Sequence, residues 1–295
     1  IWEDLGIAIT FNGEIYNYKE LRIELAQLGY TFRTDSDTEV LLLAIHKYGK
    51  NVTAKLNGMF AFAYFSNSLG TLLLGRDSLG KKPLYYSFNG STFLWSSSLD
   101  SINKKCGSEI SDYGLNQYFA FGYTIDPDTI LEKIHAIKPG ELIEISKSGK
   151  RLELTKFLGS PYVIPPTESR LSTRDSIFSA VESRVDGHTN VAISLSGGLD
   201  SSIVAFIAKE LGKSVTGYSA VWPHSDKARY NEDAKRARMF AEKIGIGFRE
   251  VEMFPPTELE ANLSEFVSAL EEPNANPTGV SMMRLYKSIS EDGFR

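Results

Sequence analysis

Residues 191–202 constrain this chain more than any other stretch, because an apolar, β-branched run, Val191-Ala192-Ile193-Ser194-Leu195, passes directly into Ser196-Gly197-Gly198-Leu199-Asp200-Ser201-Ser202. The run reads as a buried strand, and residues 201–211 carry helical apolar spacing. Glycine backbone at a strand-to-helix turn lets an anion approach closely, and free amides and the positive helix end point at it. The string therefore predicts a phosphate cradle at Ser196, Gly197 and Gly198, with donor hydroxyls on Ser196, Ser201 and Ser202. Asp200 stands where it either caps the helix or helps to hold Mg²⁺ on a polyphosphate. No Gly-Lys-Ser or Gly-Lys-Thr follows at Walker-loop spacing. The bland alternative is a tight turn with Asp200 as an ordinary cap, and the full string is more specific than that.

Beyond this loop, residues 214–220 read as a strand, 229–244 as a helix and 248–253 as a strand, an alternation that argues for a parallel, doubly wound α/β sheet. The first half has another rhythm. Ile7–Phe11 is a β-branched run that ends at Asn12-Gly13, a turn dipeptide, before helical spacing over Tyr18–Leu25. Met59–Phe65 and Thr71–Leu74 flank a turn at 66–70, and Pro83–Tyr86 and Thr92–Trp95 flank Asn89-Gly90, the pattern of two antiparallel hairpins. Between the halves, 159–173 turns to Gly, Ser, Pro and Thr, including Pro165-Pro166. A chain of 295 residues suits two domains, and the expected division is 1–158, a linker at 159–173, and 174–295.

Several strings recur together: Asn12-Gly13-Glu14-Ile15-Tyr16-Asn17, Ser36-Asp37-Thr38-Glu39, Gly58-Met59-Phe60-Ala61-Phe62 and Gly75-Arg76-Asp77 running to Tyr85, then Pro139-Gly140, the Ser196–Ser202 loop, Tyr230-Asn231-Glu232 and Glu271-Glu272-Pro273. In order and spacing, over nearly the whole chain, this resembles the glutamine-dependent asparagine synthetase family. The resemblance implies an antiparallel α+β sandwich, the Ntn-type class II amidotransferase domain, followed by a parallel α/β domain of the N-type ATP pyrophosphatases. It also implies glutamine, aspartate and ATP with Mg²⁺ as reactants, and a homodimer. A related amidotransferase acting on another carboxylate, such as a uronic acid, a peptide or an antibiotic precursor, and a non-catalytic relic of the fold are the rivals.

Hydrolysis of a glutamine amide needs donors for a tetrahedral oxyanion, and the Asn12 side-chain amide and Gly13 N–H supply them. By resemblance Glu14 and Asp37 lie against the glutamine, where either carboxylate pairs with its ammonium group, and Asp37 doubles as a helix cap. By the same resemblance, Leu195 and Ala220 would offer backbone groups to adenine. Arg76 and Asp77 read as a structural ion pair fixing their loop. The family's nucleophile is an N-terminal cysteine, and the single cysteine, Cys106, matches no family position. The chain is thus expected to lack pieces at both ends and to hydrolyse no glutamine as it stands.

A net charge of −5 is too mild to indicate a nucleic-acid partner. No stretch reaches the roughly 20 apolar residues of a membrane span, and one cysteine fits a reducing, cytoplasmic setting. His46, His135, His188 and His224 share no paired spacing and read as packing or surface residues.

Overall fold

The structure is a computed structural model describing residues 1–148, 151–159, 171–223, 231–276 and 278–294. Most of the expected linker, 160–170, lies outside the described residues, as do Tyr230 and His224. The chain divides into two compact units: Ile1–Pro165 with Glu271–Ala275, and Pro166–Leu270 with Asn276–Arg295.

The first unit runs β1 (Ile7–Ile15), α1 (Tyr18–Gln27), α2 (Asp37–Tyr48), β2 (Gly58–Ser66), β3 (Thr71–Arg76), β4 (Tyr85–Phe88), β5 (Phe93–Ser96), α3 (Leu99–Cys106), α4 (Asp112–Phe121), β6 (His135–Ala136), β7 (Glu141–Ser148) and β8 (Arg151–Leu158). Five strands form one antiparallel sheet in the order β1-β2-β3-β7-β8, and β5-β4-β6 form a smaller antiparallel sheet. Strand alternation sends Ile7, Ile15, Phe60, Phe62 and Leu73 to one face, where they pack on Leu21, Leu25 and the buried run Val40–Ile45 of α1 and α2. Ala61, Ala63, Leu74, Ile143 and Ile145 face the other way, against Leu84, Tyr86 and Phe93 of the smaller sheet. Helices, large sheet and small sheet therefore stack as three layers.

Both expected hairpins are present, as β2–β3 and β4–β5. Asn12-Gly13 is not a turn. β1 continues through it in unbroken register with β2, Gly13 opposite Phe60 and Ile15 opposite Gly58. The residues on both sides stay in register with β2, so the turn propensity of Asn-Gly is overridden and the chain turns after Ile15.

The second unit runs α5 (Thr173–Val185), β9 (Asn190–Ser194), α6 (Leu199–Glu210), β10 (Ser214–Val221), α7 (Glu232–Ile244), β11 (Gly247–Glu252), α8 (Leu259–Leu270) and α9 (Thr278–Glu291). Its three strands are parallel, in the order β11-β10-β9. Ala205, Ala208, Ala237 and Ala241 bring α6 and α7 close to one face, on Ile193 and Val215. Leu285 of α9 covers the other face at Tyr218 and Val251, giving helices on both sides of a parallel sheet.

Candidate active site

β1 is an edge strand, and the path of Phe60 decides what its free edge offers. Phe60 uses its amide on Asp77 Oδ2, 3.2 Å away, and its carbonyl on the Asp77 amide, at 2.8 Å, so both groups point toward β3. Its partner Gly13 accordingly stands in a non-hydrogen-bonded pair, and its N–H points off the open edge. The next outward amide, that of Ile15, donates to Asp37 Oδ2 at 3.0 Å. Asp37 thus occupies the edge two residues beyond Gly13, about 7 Å along the strand. It is the first residue of α2 and not its cap; Ser36 takes that role by accepting from the Thr38 amide at 3.1 Å.

Asn12 lies on the sheet face opposite α1 and α2, and lines a cleft of about 260 Å³ with Thr10, Ala63, Leu84, Trp95 and Ser97. Its Nδ2 donates to Ser97 Oγ at 3.3 Å. Glu14 is exposed and, two residues on, projects from the same face. The strand and the start of α2 therefore gather Asn12, Gly13, Glu14 and Asp37 at one end of the open edge.

Arg76 and Asp77 do not pair with each other. Arg76 bonds Asp126 at 2.8 Å and the carbonyls of Gly80, Lys82 and Ile137. Asp77, 2 % exposed, accepts from the amides of Phe60, Leu79, Lys81 and Lys82. Adjacent residues on a strand point to opposite faces, which is why neighbours in sequence serve different partners.

In the second unit the loop between β9 and α6 is bonded mostly to itself. Ser196 Oγ lies 3.1 Å from Ser201 Oγ and accepts the Gly198 amide at 3.3 Å, while Ser202 Oγ donates to the Gly198 carbonyl at 2.7 Å. Gly197 has φ +70°, and a Cβ there would lie 2.7 Å from Arg236 Cβ and 2.8 Å from the Asp233 carbonyl oxygen. The loop needs glycine at that position to rest on α7. Gly198, not Asp200, is the N-cap, and no side chain caps the helix. Asp200 is exposed in the first turn, so its carboxylate is available beside the helix start.

Leu195 is committed: its amide donates to the Tyr218 carbonyl at 2.8 Å, and its carbonyl accepts the Ser219 hydroxyl. Ala220 is placed differently. Tyr218 faces β9 and Val221 sends its carbonyl to the Met253 amide on the β11 side, so by alternation the backbone groups of Ala220 face the β9 side, past the end of that strand. Among the described residues, no group of three His, Cys, Asp or Glu side chains could hold a metal ion.

The glutamine amidotransferase domain family matches residues 1–157, and the asparagine synthase family matches residues 172–295. The chain belongs to the glutamine-hydrolysing asparagine synthetase family. Within that family it is 32% identical to asparagine synthetase [glutamine-hydrolyzing] 1 of Bacillus subtilis strain 168, over 98% of this chain and 46% of the relative. It is 29% identical to asparagine synthetase [glutamine-hydrolyzing] 3 of the same organism, over 96% of this chain and 48% of the relative. The chain thus spans about half the length of the curated relatives it matches. Among solved structures, the glutamine phosphoribosylpyrophosphate amidotransferase from B. subtilis aligns at a TM-score of 0.35 and 18% identity, over 86% of this chain and 50% of that chain, a likeness too slight to fix a shared fold.

Two groups in this asparagine synthetase family member escape a reading of motifs. Ser97, which holds the Asn12 amide, sits in a plain serine run before α3 and carries no local signal. Glu271 and Glu272 stand out as a string but not in role: they return to the first unit, where Glu271 accepts from Ser98 Oγ at 2.6 Å and Glu272 accepts from Thr124 Oγ1 at 3.2 Å. Burial pushes the Glu272 carboxyl up to about 7, with Asp126 and Glu271 adding to the rise against hydrogen bonds from the Ile130 amide and Thr124.

Proposed function

We propose that the protein is a glutamine-hydrolysing asparagine synthetase, in which glutamine is split to glutamate and ammonia in the first unit and ammonia displaces AMP from an adenylated aspartate in the second. The observation that carries this reading is the Gly13 N–H, turned off the free edge of β1 beside the Asn12 amide and its cleft. Two donors at adjacent residues on an open edge suit an oxyanion that forms and collapses there. Glu14 and Asp37 would bind the glutamine ammonium group and Asp37 would keep the edge in register.

In the second unit, bound ATP would supply the adenylyl group and Mg²⁺ would offset the charge of its phosphates. The amides of Gly197 and Gly198 and the hydroxyls of Ser196, Ser201 and Ser202 would hold the pyrophosphate portion at the start of α6. Asp200 would reach the cation through phosphate. Ala220 is the better adenine contact, since Leu195 has its amide engaged. These positions suit the parallel-sheet ATP pyrophosphatase fold, and the three-layer first unit suits the Ntn-type sandwich. A homodimer in a cytoplasmic setting completes the reading; the single cysteine suits the reducing compartment.

The test is the stoichiometry of the full-length protein with glutamine, ATP and a panel of carboxylates. One AMP, one pyrophosphate and one glutamate per asparagine is the expected result. Amide formation on another carboxylate with none on aspartate would reassign the acceptor, and no pyrophosphate release with any would leave a non-catalytic protein.

A further inference from the structure

Glu271 is the only non-glycine residue with positive φ among the described residues, at +62°. A glycine or asparagine would occupy that backbone with less strain, and what glutamate adds is its carboxylate. One oxygen accepts from Ser98 Oγ at 2.6 Å; the other accepts from the Leu99 amide and, at 3.3 Å, the Asp100 amide. These are the first amides of α3, and Ser98 itself caps that helix by accepting the Ser101 amide at 3.1 Å. The Ser98 amide in turn donates to Ser96 Oγ at 3.0 Å. Residues 96–98 are therefore pinned at both ends, and the residue between the pins is Ser97, the acceptor for Asn12 Nδ2.

We infer that Glu271 is a positioning residue for the glutamine site: by holding Ser98 and the start of α3, it fixes Ser97 and thereby aims the Asn12 amide. The inference rests on the reading of Asn12 as an oxyanion donor. The residue that sets this aim comes from the sequence between α8 and α9, in the half of the chain that carries the nucleotide loop. A neighbouring tie, the Ala275 amide to the Gly122 carbonyl at 2.8 Å, anchors the far end of the same segment.

A plain helix cap would stabilise α3 without reaching Asn12, and the spectrum of the isotope-labelled 295-residue chain separates the two. The side-chain amide pair of Asn12 is assigned by its loss in Asn12→Asp. The pair of Asn17, which donates to the Lys55 carbonyl at 2.8 Å in the same unit, serves as the internal control. In Glu271→Ala the Asn12 pair is expected to shift and the Leu99 amide to exchange about tenfold faster or more, with Asn17 unmoved. Ser97→Ala should reproduce the Asn12 shift alone. Glu271→Gln, which keeps one acceptor oxygen, should give an intermediate displacement. Should Glu271→Ala disturb Asn17 as well, Glu271→Gly removes the carboxylate without the φ penalty and replaces it. Faster Leu99 exchange with an unmoved Asn12 pair would overturn the link and leave a cap. In the intact enzyme, Asn12→Ala with an unchanged rate of glutamine hydrolysis would instead remove the donor role on which the link depends, and the spectra would be unaffected by that failure.

Discussion

A methyl group on Gly13 would strike the Met59 carbonyl oxygen and lie 2.8 Å from Phe60 Cα, both backbone atoms of β2 that cannot give way. Gly13→Ala is therefore expected to destabilise the first unit by about 2 kcal/mol or more, read as a lowered denaturation midpoint of that unit. Gly197→Ala is a different case, because the atoms its methyl would meet, Arg236 Cβ and the backbone of Asp233 and Ala237, all belong to α7 of the second unit. It should leave the first unit's unfolding unchanged and weaken nucleotide binding about tenfold or more, the equivalent of ~1.4 kcal/mol, as a titration with ATP would measure. The turn glycines between β9 and α6 were legible because their string follows an apolar run, a local signal. The placement of Gly13 was only half legible: the string marks Asn12-Gly13, but a dipeptide that favours turns hides a strand whose pairing is fixed by residues 58–66, far away in sequence. Ser97 was illegible for the same reason, since its value lies in what β1 brings to it.

At the scale of elements, the segment from β3 to β4 shows how a single carboxylate organises a loop. Each Asp77 oxygen receives two backbone amides, Oδ1 those of Leu79 and Lys81, Oδ2 those of Phe60 and Lys82. Asp77→Asn turns an NH₂ toward one of these pairs in a nearly solvent-free site, and a loss of about 2–4 kcal/mol is expected, measured by chemical denaturation. Because the Phe60 amide is among the four, the same variant should loosen β2 where it faces Gly13, seen as faster amide exchange at Phe60. The β2–β3 and β4–β5 hairpins and the strand–helix alternation of the second unit could be read from period and punctuation. The β7–β8 hairpin, which completes the large sheet, could not, since Glu141, Glu144 and Glu153 interrupt its apolar pattern. Of those charges only Glu153 lies exposed on β8, the far edge strand; on β7, Glu141 is buried and accepts the Lys138 amide at 3.0 Å, and Glu144 pairs with Lys50 at 3.0 Å.

For the molecule as a whole, the half-buried Glu272 gives the first unit a pH dependence of its own. Its carboxyl loses its proton near 4.5 when unfolded and at about 7 when folded, so the folded state holds the extra proton between those values. The contribution of Glu272 is then full below about pH 4.5, declines as pH rises through that window and is gone above about 7. His135, whose pKa burial lowers from 6.5, slopes the opposite way just below that value. The expected outcome is therefore a difference: Glu272→Gln should remove a stability loss on the order of 1–3 kcal/mol between pH 5 and 7.5, followed by denaturation of the first unit across that range. Equal slopes in wild type and variant would show that Glu272 is not the group responsible. At this scale the two-part organisation was visible in the sequence as a change of rhythm, whereas the return of residues 271–275 to the first unit was not, because no local pattern records a segment whose partners are 140 or more residues away.

The large sheet has two rims, and they are not equivalent. β8 carries none of the residues assigned to the glutamine site, so an added strand, fusion or insertion there would leave that site's edge untouched. β1 cannot take one, since any strand laid against it would consume the Gly13 and Ile15 amides and displace Asp37. Growth of the domain, by evolution or by engineering, is thus directional: it can proceed outward from β8, and the border at β1 must stay bare.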